Sequence, residues 1–233
     1  MHTPAGVVLE DGVIQMTSWT QAIFNSSLPY RFAHMVLAAY VTTATVVAAV
    51  AGYHLLRGTR EAPSKVMMNM AVGFLAIVVP LQIIAGHEHG LNVYEYQPAK
   101  LAAFEGHYTT GPADLTLFGV PDDEAERVRF GVAVPGGLGL LLHNDPSARV
   151  VGLDRFRPED RPPVGLSFQS YHLMVALGFA FIGLTLLASF LRWRGRLYDT
   201  RWLLWVFVPA VVLPIVSNEV GWVAAEVGRQ PWI

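Results

Sequence analysis

Four stretches of this chain are apolar over lengths that match the hydrocarbon core of a bilayer: residues 33–56, 66–86, 168–191 and 202–226. A spanning helix needs about 20 mainly apolar residues. Each stretch is hydrophobic around most of its circumference, unlike the one-sided stripe of a helix resting on a soluble core. Composition agrees. Of 233 residues, 53% are hydrophobic and 15% charged, where a soluble domain carries about 25% charged residues. The expected fold is an all-α integral membrane protein with four transmembrane helices and a long polar connection between the second and third.

Charge orients the spans. Arg57, Arg60 and Lys65 follow the first span, and Arg192, Arg194, Arg196 and Arg201 follow the third. The positive-inside rule assigns both short connections to the cytoplasm. Both termini and the long connection are then expected to be extracytoplasmic. Between His87 and Pro163 that connection has seven basic and twelve acidic residues, which is compatible with this orientation. Pro80, Pro209 and Pro214 fall inside spans, where each removes a backbone hydrogen bond and predicts a kink. Pro135-Gly136-Gly137-Leu138-Gly139 reads as a turn, since no Gly-Lys-Ser/Thr follows to make a phosphate loop.

Two classes of chemistry are excluded. A net charge of −2 without a basic stripe argues against nucleic acid as a partner. The absence of cysteine removes disulfides, iron–sulfur clusters and covalent haem attachment. Haem held noncovalently by His, Met or a carboxylate stays open.

The candidate ligands are few. His34 opens the first span, where a neutral imidazole can bind iron without burying charge; spacing alone favours an interfacial histidine. Met174 lies one to two turns into the third span, and methionine is more often packing filler. At ~1.5 Å of rise per residue, the two lie within roughly 10 Å of the same membrane face. His172 points about 200° away from Met174 on a helix, so the two cannot serve one iron. Glu219, Trp222 and Glu226 share one face of the fourth span, and an intramembrane carboxylate is a functional hypothesis by default. Arg229 suits a propionate.

Lys100 and Glu105 stand in the long connection, about 140° apart if helical. Spacing alone reads them as solvated charges. As a site, Glu105 would accept protons from a quinol and Lys100 would hold a quinone oxygen or tune the carboxylate. His87 and His89 read as interfacial. Arg127, Arg129, Arg149, Arg155, Arg157 and Arg161 alternate with acids as a solvated face would.

Five segments occur in order: Leu28-Pro29-Tyr30-Arg31-Phe32-Ala33-His34, Gln97-Pro98-Ala99-Lys100-Leu101-Ala102-Ala103-Phe104-Glu105, Leu117-Phe118-Gly119-Val120-Pro121-Asp122, His172-Leu173-Met174-Val175, and Gly221-Trp222-Val223-Ala224-Ala225-Glu226-Val227-Gly228-Arg229-Gln230-Pro231-Trp232. Together they resemble subunit I of the cytochrome bd quinol oxidases over essentially the whole chain. The resemblance implies that His34 and Met174 are the axial ligands of a low-spin haem b. It implies that Lys100 and Glu105 belong to an extracytoplasmic quinol-binding loop. Glu226 matches the ligand of a high-spin haem b, Trp222 an electron-transfer aromatic, and Arg229 the arginine of the closing motif. Haem d or a further haem b, quinol, oxygen, a subunit II and a bacterial inner membrane are implied with them. The family often has an arginine two residues before the methionine; here it is His172.

The implied layout is an extracytoplasmic loop at 1–32, a first helix pair at 33–86, the quinol loop at 87–167 and a second helix pair with the closing motif at 168–233. Family members carry four further helices upstream, so the chain is expected to be the second part of a split or truncated subunit I, completed by a companion chain. One alternative is a di-haem cytochrome b without oxygen chemistry. It needs paired histidines on facing spans, and His54 has no counterpart near the inner ends of the other three. A haem-free remnant or assembly fragment is the other.

Overall fold

The computed structural model of the protein describes Thr3 and residues 5–231; Trp232 of the closing motif lies outside them. A hairpin of β1 (Val7–Glu10) and β2 (Val13–Met16) and a short helix α1 (Trp19–Ile23) lead into α2 (Leu28–Leu56). Next come α3 (Glu61–Tyr96) and the short α4 (Pro98–Glu105). The long connection then forms β3 (Gly111–Pro112), β4 (Leu115–Asp122), β5 (Arg127–Val134), α5 (Gly137–His143) and β6 (Arg149–Val150). Helix α6 (Val164–Trp193) follows, and α7 (Arg201–Ala210) and α8 (Val212–Val227) complete the order. Four helical stretches are long and apolar enough to cross a membrane, with α7 and α8 forming the fourth.

The spans are helices because a backbone in hydrocarbon must satisfy its own polar groups. Side chains follow the same rule: Thr42, Thr43 and Thr45 donate to the carbonyls of Ala38, Ala39 and Val41. Small residues bring the helices together. Ala48 and Ala51 are fully buried with Met68, Leu203 and Phe207 in one cluster. A Cβ on Gly52 would sit 3.1 Å from the Leu204 carbonyl oxygen, so α2 and α7 meet almost backbone to backbone. At this end, remote from the long connection, Tyr198 donates to the Lys65 carbonyl and Arg201 to that of Leu56.

Three details differ from the sequence reading. First, α3 continues to Tyr96, so His87 and His89 are helical. Leaving the hydrocarbon does not end a helix whose backbone bonds stay intact. It stops where Pro98 forces Gln97 out of helical geometry (φ −140°, ψ 61°). Second, α3 runs through Pro80 as one helix, whereas the hydrogen-bond ladder of the fourth span is interrupted at Val211, whose φ and ψ (−58°, −26°) stay helical. Pro214 has no N–H to give the Ala210 carbonyl, and a proline is tolerated in the first turn of the new helix. Third, the polar connection is ordered by the β4–β5 hairpin, whose pairing shifts register around Phe118, and by α5, which buries Leu138 with Ala113 and Val150.

Phe207 is 1% exposed in the cluster where α2, α3, α6 and α7 meet. Phe207→Ala is expected to cost about 3–5 kcal/mol, read as a lower thermal unfolding temperature in detergent.

Candidate functional site at the loop end of the bundle

Helix α4 is the centre of the site. Gln97-Pro98 starts it, and Gly106 ends it in the left-handed region (φ +61°), which lets His107 N–H close back onto the Ala102 carbonyl at 2.8 Å. All residues from Lys100 to Glu105 are buried. Lys100 is 3% exposed and Glu105 2%, so neither is the solvated loop charge that spacing alone favoured. The angle between them sends one to α8 and the other to α6.

Lys100 Nζ donates to the Ala225 carbonyl at 2.9 Å, in the last turn of α8. A cation there satisfies a carbonyl that the helix leaves open. Gly228 makes the approach possible: a Cβ would stand 2.9 Å from both Lys100 Cγ and Phe104 Cε1. Burial, then the positive charges of Arg229 and Arg31, bring the Lys100 ammonium down to about 7, with Glu226 acting in the opposite sense. Glu226 and Arg229 form an ion pair at 2.5 Å. The structure therefore gathers Lys100, Glu226 and Arg229, and adds Arg31, which the sequence offered only as part of a motif.

Glu105 faces the other way. Burial pushes its carboxyl up to about 8, and a hydrogen bond from Tyr171 on α6 partly offsets this. Its Oε2 has no hydrogen-bond partner. The Tyr171 ring stacks on Phe104, 4.7 Å between centroids and 10° between planes. Sequence reasoning missed Tyr171, although its place one turn before Met174 puts it at the loop end of the third span.

His34 lies against α3. The Gln82 amide nitrogen is 3.2 Å from its Nε2 and 3.4 Å from its Nδ1, and the His89 ring is 5.7 Å away between centroids. Gln82, Gly86 and His89 fall on one face of α3. A Cβ on Gly86 would be 3.3 Å from His34 Cε1. Met174 lies against α8, where a Cβ on Gly221 would be 2.7 Å from its Sδ. His34 is six residues from the start of α2, and Gly221 six from the end of α8. Both donors are thus about 9 Å below the loop end. An imidazole and a thioether are a donor pair used by low-spin haem iron. A glycine beside each donor and the buried, unpartnered Gln82 Oε1 fit a large planar group there.

Other candidates sit elsewhere. Trp222 is 64% exposed, and Glu219 is exposed with it on an α8 stripe that also carries Val212, Ile215 and Val216. This stripe faces away from the other helices of the chain. Both nitrogens of His172 face carbonyls at 2.9 Å, Nδ1 that of Phe168 and Nε2 that of Thr116 in β4, and the single N–H of a neutral ring can be donated to either. Gln169, one turn earlier, donates to the Gly119 carbonyl at 2.7 Å. His172 and Gln169 thus clamp the hairpin on either side of its irregular register. Among the described residues, no group of three or more His, Asp or Glu could hold a metal ion.

Fold and site define a class: a helical membrane protein whose inter-helix loop folds back to bury a lysine and a carboxylate over an imidazole–thioether level. Comparison supplies the family. The model for cytochrome bd terminal oxidase subunit I matches residues 1–233, and the chain belongs to that family. It is 33% identical over 240 residues to a Bacillus subtilis (strain 168) chain whose description names a cytochrome bd menaquinol oxidase subunit I, covering 99% of this chain and 53% of the relative. A cytochrome bd ubiquinol oxidase subunit 1 of the same organism is 30% identical, covering 100% and 52%. The solved bd oxidase from Geobacillus thermodenitrificans superimposes with a TM-score of 0.88 at 32% identity, covering all of this chain and 54% of that one. The chain spans about half the length of the curated relatives it matches.

His172→Leu removes one attachment of the hairpin, worth about 1 kcal/mol per hydrogen bond. Faster amide hydrogen exchange is expected across residues 115–134, with the amides of α2 and α3 unchanged.

Proposed function

We propose that the chain is the quinol-oxidising part of a bd-type quinol:oxygen oxidoreductase. The observation that carries this reading is the burial of Lys100 and Glu105 on α4, between the ends of α6 and α8. Isolated charges are costly to bury, and here both groups are moved towards neutral pH. A general base works best with a pKa near the operating pH, and the Glu105 carboxyl at about 8 meets that condition.

Quinol oxidation yields a quinone, two protons and two electrons. Glu105 would take a quinol hydroxyl proton and pass it outwards. Lys100, fixed to Ala225, would keep the loop on α8 and place positive charge, with Arg31 and Arg229, beside the developing negative oxygen. A low-spin haem b held by His34 and Met174 would supply the electron acceptor. Glu226 would hold a high-spin haem b, with Trp222 one turn before it and Arg229 available to a propionate. Haem d or a further haem b would complete the oxygen site. A subunit II and the family's remaining helices would cover the exposed Glu219–Trp222 stripe. The names of the relatives include both menaquinol and ubiquinol oxidases, so the substrate class is a membrane quinol.

The positively charged short connections orient the loop and both termini to the outside of a bacterial inner membrane. The di-haem alternative gains no support: His54, at the opposite end, is hydrogen-bonded to Thr59 of its own connection.

In the assembled oxidase, His34→Ala is expected to abolish the low-spin b band in a reduced-minus-oxidised spectrum. Its survival would sink the ligand assignment. Because Glu105 is protonated below about 8, its base form grows as pH rises. Quinol-driven oxygen uptake should climb through that pH in the native protein. Glu105→Gln is expected to lower the rate by about 10²-fold or more and to remove this rise.

A further inference from the structure

The β4–β5 hairpin lies along the outermost turns of α6, and three contacts fix its height. The Thr116 carbonyl is 2.9 Å from His172 Nε2, and the Gly119 carbonyl accepts from Gln169 at 2.7 Å. At the tip, Glu126 pairs with Arg161, three residues before α6 begins. The apolar stretch of this span starts at residue 168. At ~1.5 Å of rise per residue, Thr116 is held about 6 Å below that edge, Gly119 close to it, and the tip above it.

The side chains are graded in the same direction. The tip carries Asp122, Asp123, Glu124, Glu126 and Arg127. Lower down, Leu117, Phe118, Phe130, Val132 and Val134 are exposed. They are not the inner face of the hairpin, because Val128 packs against the buried cluster of Ala102, Ala103 and Phe168. Phe130 is 87% exposed and has φ +52°, a conformation that bulky side chains rarely adopt. It falls where the pairing skips, between Arg129 opposite Val120 and Val132 opposite Phe118. An irregularity of this kind re-aims a side chain. On α6, Leu166 and Leu173 lie about one turn to either side of Gln169 and are exposed too. The apolar row thus continues the outer flank of the span.

We propose that the hairpin is a membrane-surface anchor: its Phe118–Phe130 face is seated in the lipid leaflet at the loop end of the bundle, while its charged tip stays in water. Interfacial elements bury an apolar face about 5–10 Å into the boundary between headgroups and acyl chains, the depth at which Thr116 is held. Backbone carbonyls at that level need donors, and Gln169, with His172 in its Nε2–H form, provides them to β4. The inference needs only the spans and the hairpin, and is independent of the quinol reading.

The chain has no cysteine, so a nitroxide can be attached at Phe118→Cys, Phe130→Cys and Glu124→Cys. The assembled oxidase is reconstituted into phosphatidylcholine liposomes, with the unsubstituted protein as background. Labels at 118 and 130 are expected to collide more with dissolved oxygen, which partitions into lipid, than with a water-soluble nickel chelate. At 124, on the tip, the ratio should be inverted. A label at 130 as open to the chelate as the one at 124 overturns the proposal. So does a label at 130 shielded from both reagents, the result expected if another protein segment covers this face.

Discussion

The bond from Lys100 Nζ to the Ala225 carbonyl ties the loop between the second and third spans to the end of the fourth. It joins residues 125 positions apart and fixes α4 against α8. Other contacts at this end complete the placement. Phe104 comes to lie on Tyr171, Glu105 turns into α6, and Gly228 gives up its side-chain volume to both Lys100 and Phe104. A lysine is suited to the task because its long apolar stem can be buried while the ammonium meets an open carbonyl.

Such an arrangement is unfavourable without compensation. The Lys100 ammonium is disfavoured by its burial and by the positive charges of Arg229 and Arg31, and favoured by Glu226. The Glu226–Arg229 pair offsets part of this. On the other side of α4, Tyr171 and its own protonation relieve the burial of Glu105. The two groups therefore shift in opposite directions for the same reason, loss of water, and end near one another on the pH scale. Burial therefore brings both groups towards neutral pH, where two ordinary surface charges would have stayed fixed.

The spans were legible in the sequence because hydrocarbon leaves the backbone a single choice, and about 20 apolar residues announce it. The loop-side ends of the first three were not. Helix α3 outlasts its apolar stretch because a helix needs no lipid, only an unbroken ladder, and Gln97-Pro98 stops it rather than His87. The two prolines of the fourth span and the one in α3 looked alike, but the break occurs where Ala210 loses its donor. The depth of His34 followed from its place in the chain. The burial of Lys100 and Glu105 did not, because it depends on partners far along the chain, Gly228 beside Lys100 and α6 beside Glu105. His172 and Gln169 were readable as helix residues, but β4 carbonyls carry no side-chain signal that would reveal them as partners.

The division of the fourth span at Val211 has a mechanical meaning. A continuous helix transmits displacement along its whole axis, whereas a joint absorbs it. The segment that receives Lys100 is the short α8, and the segment sealed by Leu203, Leu204 and Phe207 is α7. Displacement of the loop can thus be taken up as tilt of one half-helix, while the packing seal at the opposite surface stays shut.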